Sequence, residues 1–269
     1  MSESKIIEAV QRVLEEGSIA ALITVVEASE NIGAKILIDE SGARFGDLGH
    51  SELNEAVARH APLFLSSRAT ETSIFKASDF APELSSFADV RVMFERVETE
   101  PRLVICGAGH VGASLARIAA LVGYNIALID DRAEFVSREK FSEENITLIA
   151  TEDWTSDISK TIGTGRGVSI AIVTRGHSED EICLRAALAS HPDYVGMIGS
   201  HRRTRIVISR VKETGVDESL LKKVYAPIGL DIGAVSPEEV ALAILAEIIA
   251  VRRGGSGAPL SLVSRRVKG

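Results

Sequence analysis

The sequence predicts an α/β protein, with a Rossmann-like doubly wound parallel sheet in its C-terminal part and a smaller α/β domain before it. Three observations carry that expectation. Residues 102–132, RLVICGAGHVGASLARIAALVGYNIALIDDR, have the pattern of strand, glycine turn, helix and strand. Strand-like apolar runs then alternate with helix-like segments almost to the end of the chain, the pattern of a parallel sheet covered on both faces. Across residues 98–101, polar residues and a proline interrupt the periodicity, as a domain junction does. The expected units are residues 1–98, residues 99–255, and a tail over 256–269 whose Gly, Ser and Arg content suits a poorly ordered end.

Taken in order, residues 6–14 carry apolar side chains at helical spacing, and Gly17 closes that helix. Residues 18–27, SIAALITVVE, are β-branched and apolar enough for a central strand. Residues 35–39, KILID, the turn Glu40-Ser41-Gly42 and residues 43–45 predict a hairpin, because Ser-Gly between two short apolar runs is a turn signal. A loop is expected over Asp47-Leu48-Gly49-His50, with Ser51 capping a helix that runs through Leu53, Ala56 and Val57. The alternation in DVRVMFE, residues 89–95, predicts the strand that ends this unit. There is no internal repeat and no low-complexity stretch.

In the next unit the first strand leads into Gly107, Gly109 and Gly112, and the second ends at Asp130, roughly 20 residues beyond the glycines. In the dinucleotide fingerprint the first glycine permits a tight turn, the second lets backbone approach a pyrophosphate, and the third lets helix pack on strand. The helix then turns free N–H groups and its positive dipole end toward phosphate. Asp130 is the expected ribose acceptor. Asp130 followed by Asp131 favours an unphosphorylated ribose over a 2′-phosphate, an inference that Arg132 weakens, so a nicotinamide cofactor here would be NAD(P). Further strands are expected over 147–150, 168–174, 194–198 and 224–226. Ser236-Pro237-Glu238-Glu239 signals the last helix by a serine cap, a first-turn proline and a capping-box glutamate; it runs through Ile248 and stops at Gly254-Gly255.

Ligands of doubly wound sheets bind outside the carboxyl ends of the strands. The polar residues just past each apolar run are therefore candidates. They are His110 in the glycine loop, Arg175 and His177 after the fourth strand, Ser200, His201, Arg202 and Arg203 after the fifth, and Asp231 after the sixth. Three of the six histidines and three arginines thus fall on one edge, and a basic rim on a net-acidic chain attracts an anion such as a phosphorylated cofactor. With Gly107, Gly109, Gly112, Asp130 and Arg132, these are the candidate binding residues. His110 and His177 are also the candidate acid–base residues, since imidazole titrates near neutral pH. Each has a plainer alternative: a solvated loop histidine, an exposed helix face for Arg202, Arg203 and Arg205, a turn residue for Asp231.

Composition excludes several classes. A formal net charge of −8 and 4% aromatic residues argue against nucleic-acid binding. The apolar runs fall short of the about 18 residues a membrane span needs, and MSESKIIEAV is not a secretory signal. Cys106 and Cys183 fall in segments expected to be a buried strand and a helix, which suits free thiols in a reducing cytoplasm. Without CxxC or HExxH no metal site is expected, and there is no GxSxG elbow.

The motifs resemble the xanthine dehydrogenase accessory factor family, of the XdhC/CoxI type. RLVICGAGHVG with DDR after it, VTRGHSEDE, YVGMIGSHRR and PIGLDIGAVSPEEVALAILAEIIAVRRG resemble its Rossmann domain. ITVVEASENIGAKILIDESGARFGDLG resembles its smaller N-terminal domain, so the likeness covers almost the whole chain. The resemblance implies a cofactor chaperone in the maturation of molybdenum hydroxylases. Such a protein binds molybdenum cofactor, protects it during sulfuration with a cysteine desulfurase, and hands it to the apo-enzyme. The cofactor is molybdopterin or, often in bacteria, its cytosine dinucleotide, whose pyrophosphate the glycine loop could hold as readily as that of NAD.

The chain departs from the family pattern at two places. Where the family has a glycine run followed by Cys-Leu-Glu, this chain has Gly49-His50-Ser51-Glu52-Leu53-Asn54, with Glu52 at the place of the cysteine. A carboxylate replaces a soft thiolate poorly at sulfurated molybdenum. His201 also stands where the family has an arginine after Gly-Ser. Two other function classes stay open: an NAD(P)-dependent oxidoreductase, for which no Tyr-x-x-x-Lys pair is present, and a nucleotide-sensing regulatory module without catalysis. The expected partners are the apo-hydroxylase and the desulfurase, a homodimer is compatible with the sequence, and neither nucleic acid nor membrane is expected.

Overall fold

In the N-terminal half, a computed structural model shows helices packed on both faces of an antiparallel sheet; the structure describes residues 2–67, 72–163 and 165–261. Helix α1 (Ser2–Glu16) buries Ile6, Ala9 and Val13 at helical spacing and ends where Gly17 takes a φ of +65°. Strands β1 (Ala20–Glu27), β2 (Lys35–Asp39) and β3 (Arg44–Asp47) follow, then helix α2 (Ser51–Ser66), strand β4 (Thr72–Lys76), the short helix α3 (Ala77–Phe80) and strand β5 (Arg91–Val97). The sheet order is β3-β2-β1-β5-β4, with the apolar β1 at its centre as expected. Pleating divides the core: Ile36 and Ile38 pack with Leu53, Val57 and Phe64 of α2, while Leu37 between them packs with Ala9 and Val13 of α1.

Two details differ from expectation. Ser51 is the first residue of α2 rather than its cap; the cap position is His50, whose side chain makes no capping bond. The loop is closed instead by Asp47, which accepts from the Gly49 N–H and the Asn54 Nδ2, and by the Asn54 Oδ1, which accepts from the Leu48 N–H. Edge strand β4 has no counterpart among the expected strands, because its five residues TSIFK never reach full burial.

The C-terminal half alternates strand and helix: β6 (Arg102–Cys106), α4 (His110–Leu121), β7 (Asn125–Asp130), β8 (Ile146–Ala150), α5 (Trp154–Ile162), β9 (Val168–Ile172), α6 (His177–Ala189), β10 (Tyr194–Met197), α7 (His201–Glu213), α8 (Glu218–Leu221), β11 (Val224–Tyr225) and α9 (Pro237–Arg253). All five pairings are parallel, in the order β11-β10-β9-β6-β7-β8. The strands are near-continuous apolar runs because both faces are covered. Leu103 and Ile105 of β6 pack under Leu115 and Ala119 of α4 and Ile244 and Ile248 of α9. Val104 and Cys106 pack against Ile158 of α5, Leu184 of α6 and Val207 of α7. Each such fully buried aliphatic side chain contributes about 1.5–3 kcal/mol of hydrophobic free energy. Helix α9 has the expected capping box between Ser236 and Glu239 and ends at Gly254 with φ +69°. Of the expected tail, residues 256–261 are exposed and residues 262–269 lie outside the described residues. Among the described residues no helix is long and apolar enough to cross a membrane.

Candidate functional site

The strand order reverses between β6 and β9, and a doubly wound sheet opens a crevice at that point, beyond the carboxyl ends of the two strands. The glycine loop forms one wall. Gly107 has φ +110°, and a Cβ there would lie 2.6 Å from the Val173 carbonyl oxygen at the end of β9. A Cβ on Gly112 would overlap the Gly107 carbonyl oxygen, so the third glycine lets α4 sit tight on its strand. Gly109 differs: a Cβ there meets nothing within 4 Å, which leaves its side open for a ligand to approach the backbone. Gly109 is also the cap residue of α4. No side chain caps that helix and no acidic residue lies in its first turn. The first-turn N–H groups therefore have neither an intrahelical acceptor nor a charge in place to offset the dipole.

Asp130 holds this loop in position. Its Oδ2 accepts from the Ala108 N–H at 2.7 Å and Arg132 Nη2 at 2.9 Å; its Oδ1 accepts from the Arg132 N–H at 3.0 Å and Arg132 Nε at 2.8 Å. A carboxylate offers about four acceptor sites, so the residue is saturated from within the chain. Burial alone raises the Asp130 carboxyl, but the bonds from Arg132 and Ala108 outweigh it and hold the group below its ordinary value. Arg132 is raised in turn, chiefly by the Asp130 hydrogen bond, and its guanidinium lies 3.7 Å over the Phe135 ring. The exposed carboxylate at this strand end is Asp131, which Arg175 approaches to 3.1 Å.

The opposite wall is built from buried polar groups. Asp180, on the first turn of α6, is fully buried; the Thr174 Oγ1 donates to it at 2.5 Å, and Arg203 of α7 donates through Nη2 at 2.6 Å and Nε at 3.1 Å. Ser200 caps α7 by accepting from the Arg203 N–H. Helix α6 also starts on a glycine, Gly176, but its first turn carries Glu179 and Asp180, and the Glu179 carboxylate folds over Gly176. Of the two helix N-termini flanking the crevice, only that of α4 lacks an internal anion.

The candidate residues fall into four groups. Gly107, Gly109, Gly112, Asp130 and Arg132 lie together at the loop, Arg175 stands beside them through Asp131, and Ser200 is tied to the opposite wall through Arg203. His110, His201 and Arg202 are exposed at the starts of α4 and α7, and among the described residues the imidazoles of His110 and His201 make no hydrogen bond. His177 begins α6, and its side chain lies outside the described residues. Asp231 is exposed on a segment pinned elsewhere, where Gly229 donates to Glu247 and Leu230 to the Ala243 carbonyl. Asp180 and Arg203 carry more of the site's structure than the exposed histidines do. An acid four residues past Gly176, in a helix's first turn, was the available signal for Asp180.

Neither cysteine side chain is exposed to the crevice. Both are fully buried, and the hydrogen bond to Cys106, followed by burial, pushes the Cys183 thiol far up. In the N-terminal half, His50 lies 3.1 Å from Glu30 and 3.3 Å from Asn31, while Glu52 is exposed on α2.

Comparison with known proteins gives consistent matches. The XdhC Rossmann domain model matches residues 103–248, and the XdhC and CoxI family model matches residues 13–75. The chain is 28% identical over 233 residues to YqeB of Escherichia coli K12, an uncharacterised protein, covering 83% of this chain and 41% of that one. It is 28% identical over 171 residues to a Bacillus subtilis protein described as a probable xanthine dehydrogenase subunit, covering 63% of this chain and 49% of that one. The chain thus spans about half or less of the length of these relatives. A crystal structure described as a xanthine dehydrogenase from Bacillus halodurans shares the fold, with a TM-score of 0.67 at 20% identity over 94% of this chain and 68% of that one.

Proposed function

Because the chain belongs to the XdhC family, we propose that it is an accessory protein of a xanthine dehydrogenase-like molybdenum hydroxylase, and that it carries molybdenum cofactor, as a pterin dinucleotide, at its glycine loop. The observation that carries this reading is the uncapped N-terminus of α4 beside the open Gly109, at the switch point of the sheet. A pyrophosphate suits that place because unpaired N–H groups and the helix dipole both favour an anion. Residues 109–112 would hold it through backbone. Asp130 acts on the loop rather than on the ligand, and the exposed Asp131 and Arg175 stand at the rim.

The cofactor is cargo here, and its metal does its chemistry in the enzyme that receives it. With both cysteines buried, thiolate ligation of molybdenum by this chain does not fit. The residues present fit a protein that grips the dinucleotide end and leaves the metal end to partners, the apo-hydroxylase and a cysteine desulfurase that supplies sulfur.

The test is to purify the protein from a molybdate-replete host, denature it, and identify what is released by oxidised-pterin fluorescence and mass spectrometry. Near-stoichiometric pterin dinucleotide is expected, and it should be lost from a folded Gly109→Asp variant. Release of NAD(H) without pterin, or unchanged pterin retention in that variant, would overturn the reading.

A further inference from the structure

A cavity of about 380 Å³ lies at the opposite end of the Rossmann sheet from the glycine loop, where residues 98–101 join the two halves. It is bounded by the start of β7, the end of β5 and the last turn of α9, and its charged lining comes from both halves. Arg96 of β5 has its side chain 3% exposed, and its Nη2 donates to the carbonyls of Phe64, Leu65 and Ser67 at the end of α2. Glu98 in the connection accepts from Arg252 of α9 at 2.7 Å and lies 3.9 Å from Arg96. Arg253 lines the same space. Three guanidinium groups and two carboxylates, Glu98 and Glu100, line the cavity.

The second observation is Tyr124. It is 3% exposed and lines this cavity, and its hydroxyl hydrogen has no acceptor among the described residues. Arg252 and Arg253 act on it by charge and Arg252 also as a donor toward its oxygen, and a guanidinium has only donors to offer. The phenolic hydrogen is therefore left without an acceptor from the chain. Buried donors without acceptors are rare in folded proteins, and each calls for a physical reason. Burial pushes the phenol up, so the hydroxyl keeps its proton and stays a donor.

We propose that this cavity binds a small oxyanion ligand, a molecule bearing phosphate or carboxylate, with one oxygen accepting from the Tyr124 hydroxyl inside the field of Arg252 and Arg253. Charge-assisted bonds of this kind are the strong ones, and arginine suits both anion types. The volume lies at the low end of small-molecule sites, about 300–1,000 Å³, and admits a pyrophosphate or a tricarboxylate but not a dinucleotide. The site is separate from the glycine loop. Since Arg96 and Arg252 come from different halves, an occupant would brace one half against the other.

The full chain is titrated by calorimetry with pyrophosphate and, separately, with citrate, as wild type, Tyr124→Phe, Gly109→Asp and the double variant. The anion that fits should bind, survive Gly109→Asp, and weaken at least about tenfold in Tyr124→Phe. Trp154 emission should stay native in that variant. Binding of pyrophosphate alone or of citrate alone identifies the phosphate or the carboxylate class. No binding of either anion at tens of millimolar, equal affinity in Tyr124→Phe, or loss only in Gly109→Asp would overturn the proposal.

Discussion

Asp130→Asn removes one charge at the point where β7, the glycine loop and Arg132 meet, and it leaves the shape of the side chain unchanged. Each carboxylate oxygen accepts two bonds, one of them at 2.7 Å from the Ala108 N–H. An amide nitrogen in place of either oxygen turns a donor toward two donors, so two bonds are lost whichever way the amide points. Hydrogen bonds to charged groups contribute about 1.5–3 kcal/mol each, and breaking a buried ion pair costs about 3–5 kcal/mol. The Arg132 side chain is 24% exposed and regains water once freed, which places the expected loss at the lower end, about 3 kcal/mol. With a urea slope of about 2 kcal/mol per molar, the midpoint should fall by about 1.5 M. Trp154, the single tryptophan, begins α5 in the same half and reports the transition by fluorescence.

The pH dependence gives a second reading of the same experiment. Asp130 is held below its ordinary value in the folded chain, so its contribution is fully present above that ordinary value of 3.8 and is lost as pH falls through the lower folded value. Wild type and Asp130→Asn should therefore differ most near neutrality and converge in strong acid. A midpoint shift under about 0.3 M at neutral pH, or a gap that widens toward acid, would refute the argument that these four bonds anchor the loop.

The glycines and the N-terminal core each supply a further prediction. Gly112→Ala should cost several kcal/mol, because its Cβ overlaps the Gly107 carbonyl oxygen, whereas Gly109→Ala, which meets open space, should stay within about 1 kcal/mol of wild type; urea titration of the pair separates packing from ligand clearance. His60 sits among the rings of Phe75, Phe80 and Phe94 at 5.0–5.3 Å between centroids, and burial lowers it below its ordinary 6.5. The unfolded chain therefore takes up the proton first, and this group erodes stability as pH falls from about 6.5 through the lower folded value. Circular-dichroism melts of wild type and His60→Leu across that range should show the variant less sensitive to acid, and parallel profiles would count against it.

Most of the fold was legible in the sequence because burial repeats with the period of each element. The alternation and apolar runs located six parallel strands within a residue or two, and a central N-terminal strand at β1. Gly17, Ser236 and Gly254 marked helix ends where backbone geometry leaves few choices. The glycine loop was legible for the same reason, since Gly107 and Gly112 are sites where a side chain has no room. Strand β4 was not, because Ile74 is exposed while Ser73 and Phe75 face inward, so apolar type does not follow its alternating burial.

Polar pairing was a matter for the tertiary structure. The spacing from the glycines put Asp130 at the end of its strand, but only the folded loop showed its four acceptor sites filled by Ala108 and Arg132. Nothing local distinguishes Arg203, which binds a buried carboxylate, from Arg202, which is exposed. Tyr124, Arg96 and Arg252 stand far apart in the chain, and no sequence period brings them to one cavity. Apolar burial can be inferred from each residue's own neighbours, because any apolar contact satisfies it. A hydrogen bond or an ion pair needs one particular partner at one distance and angle, and the chain supplies many candidates among which only the assembled fold chooses.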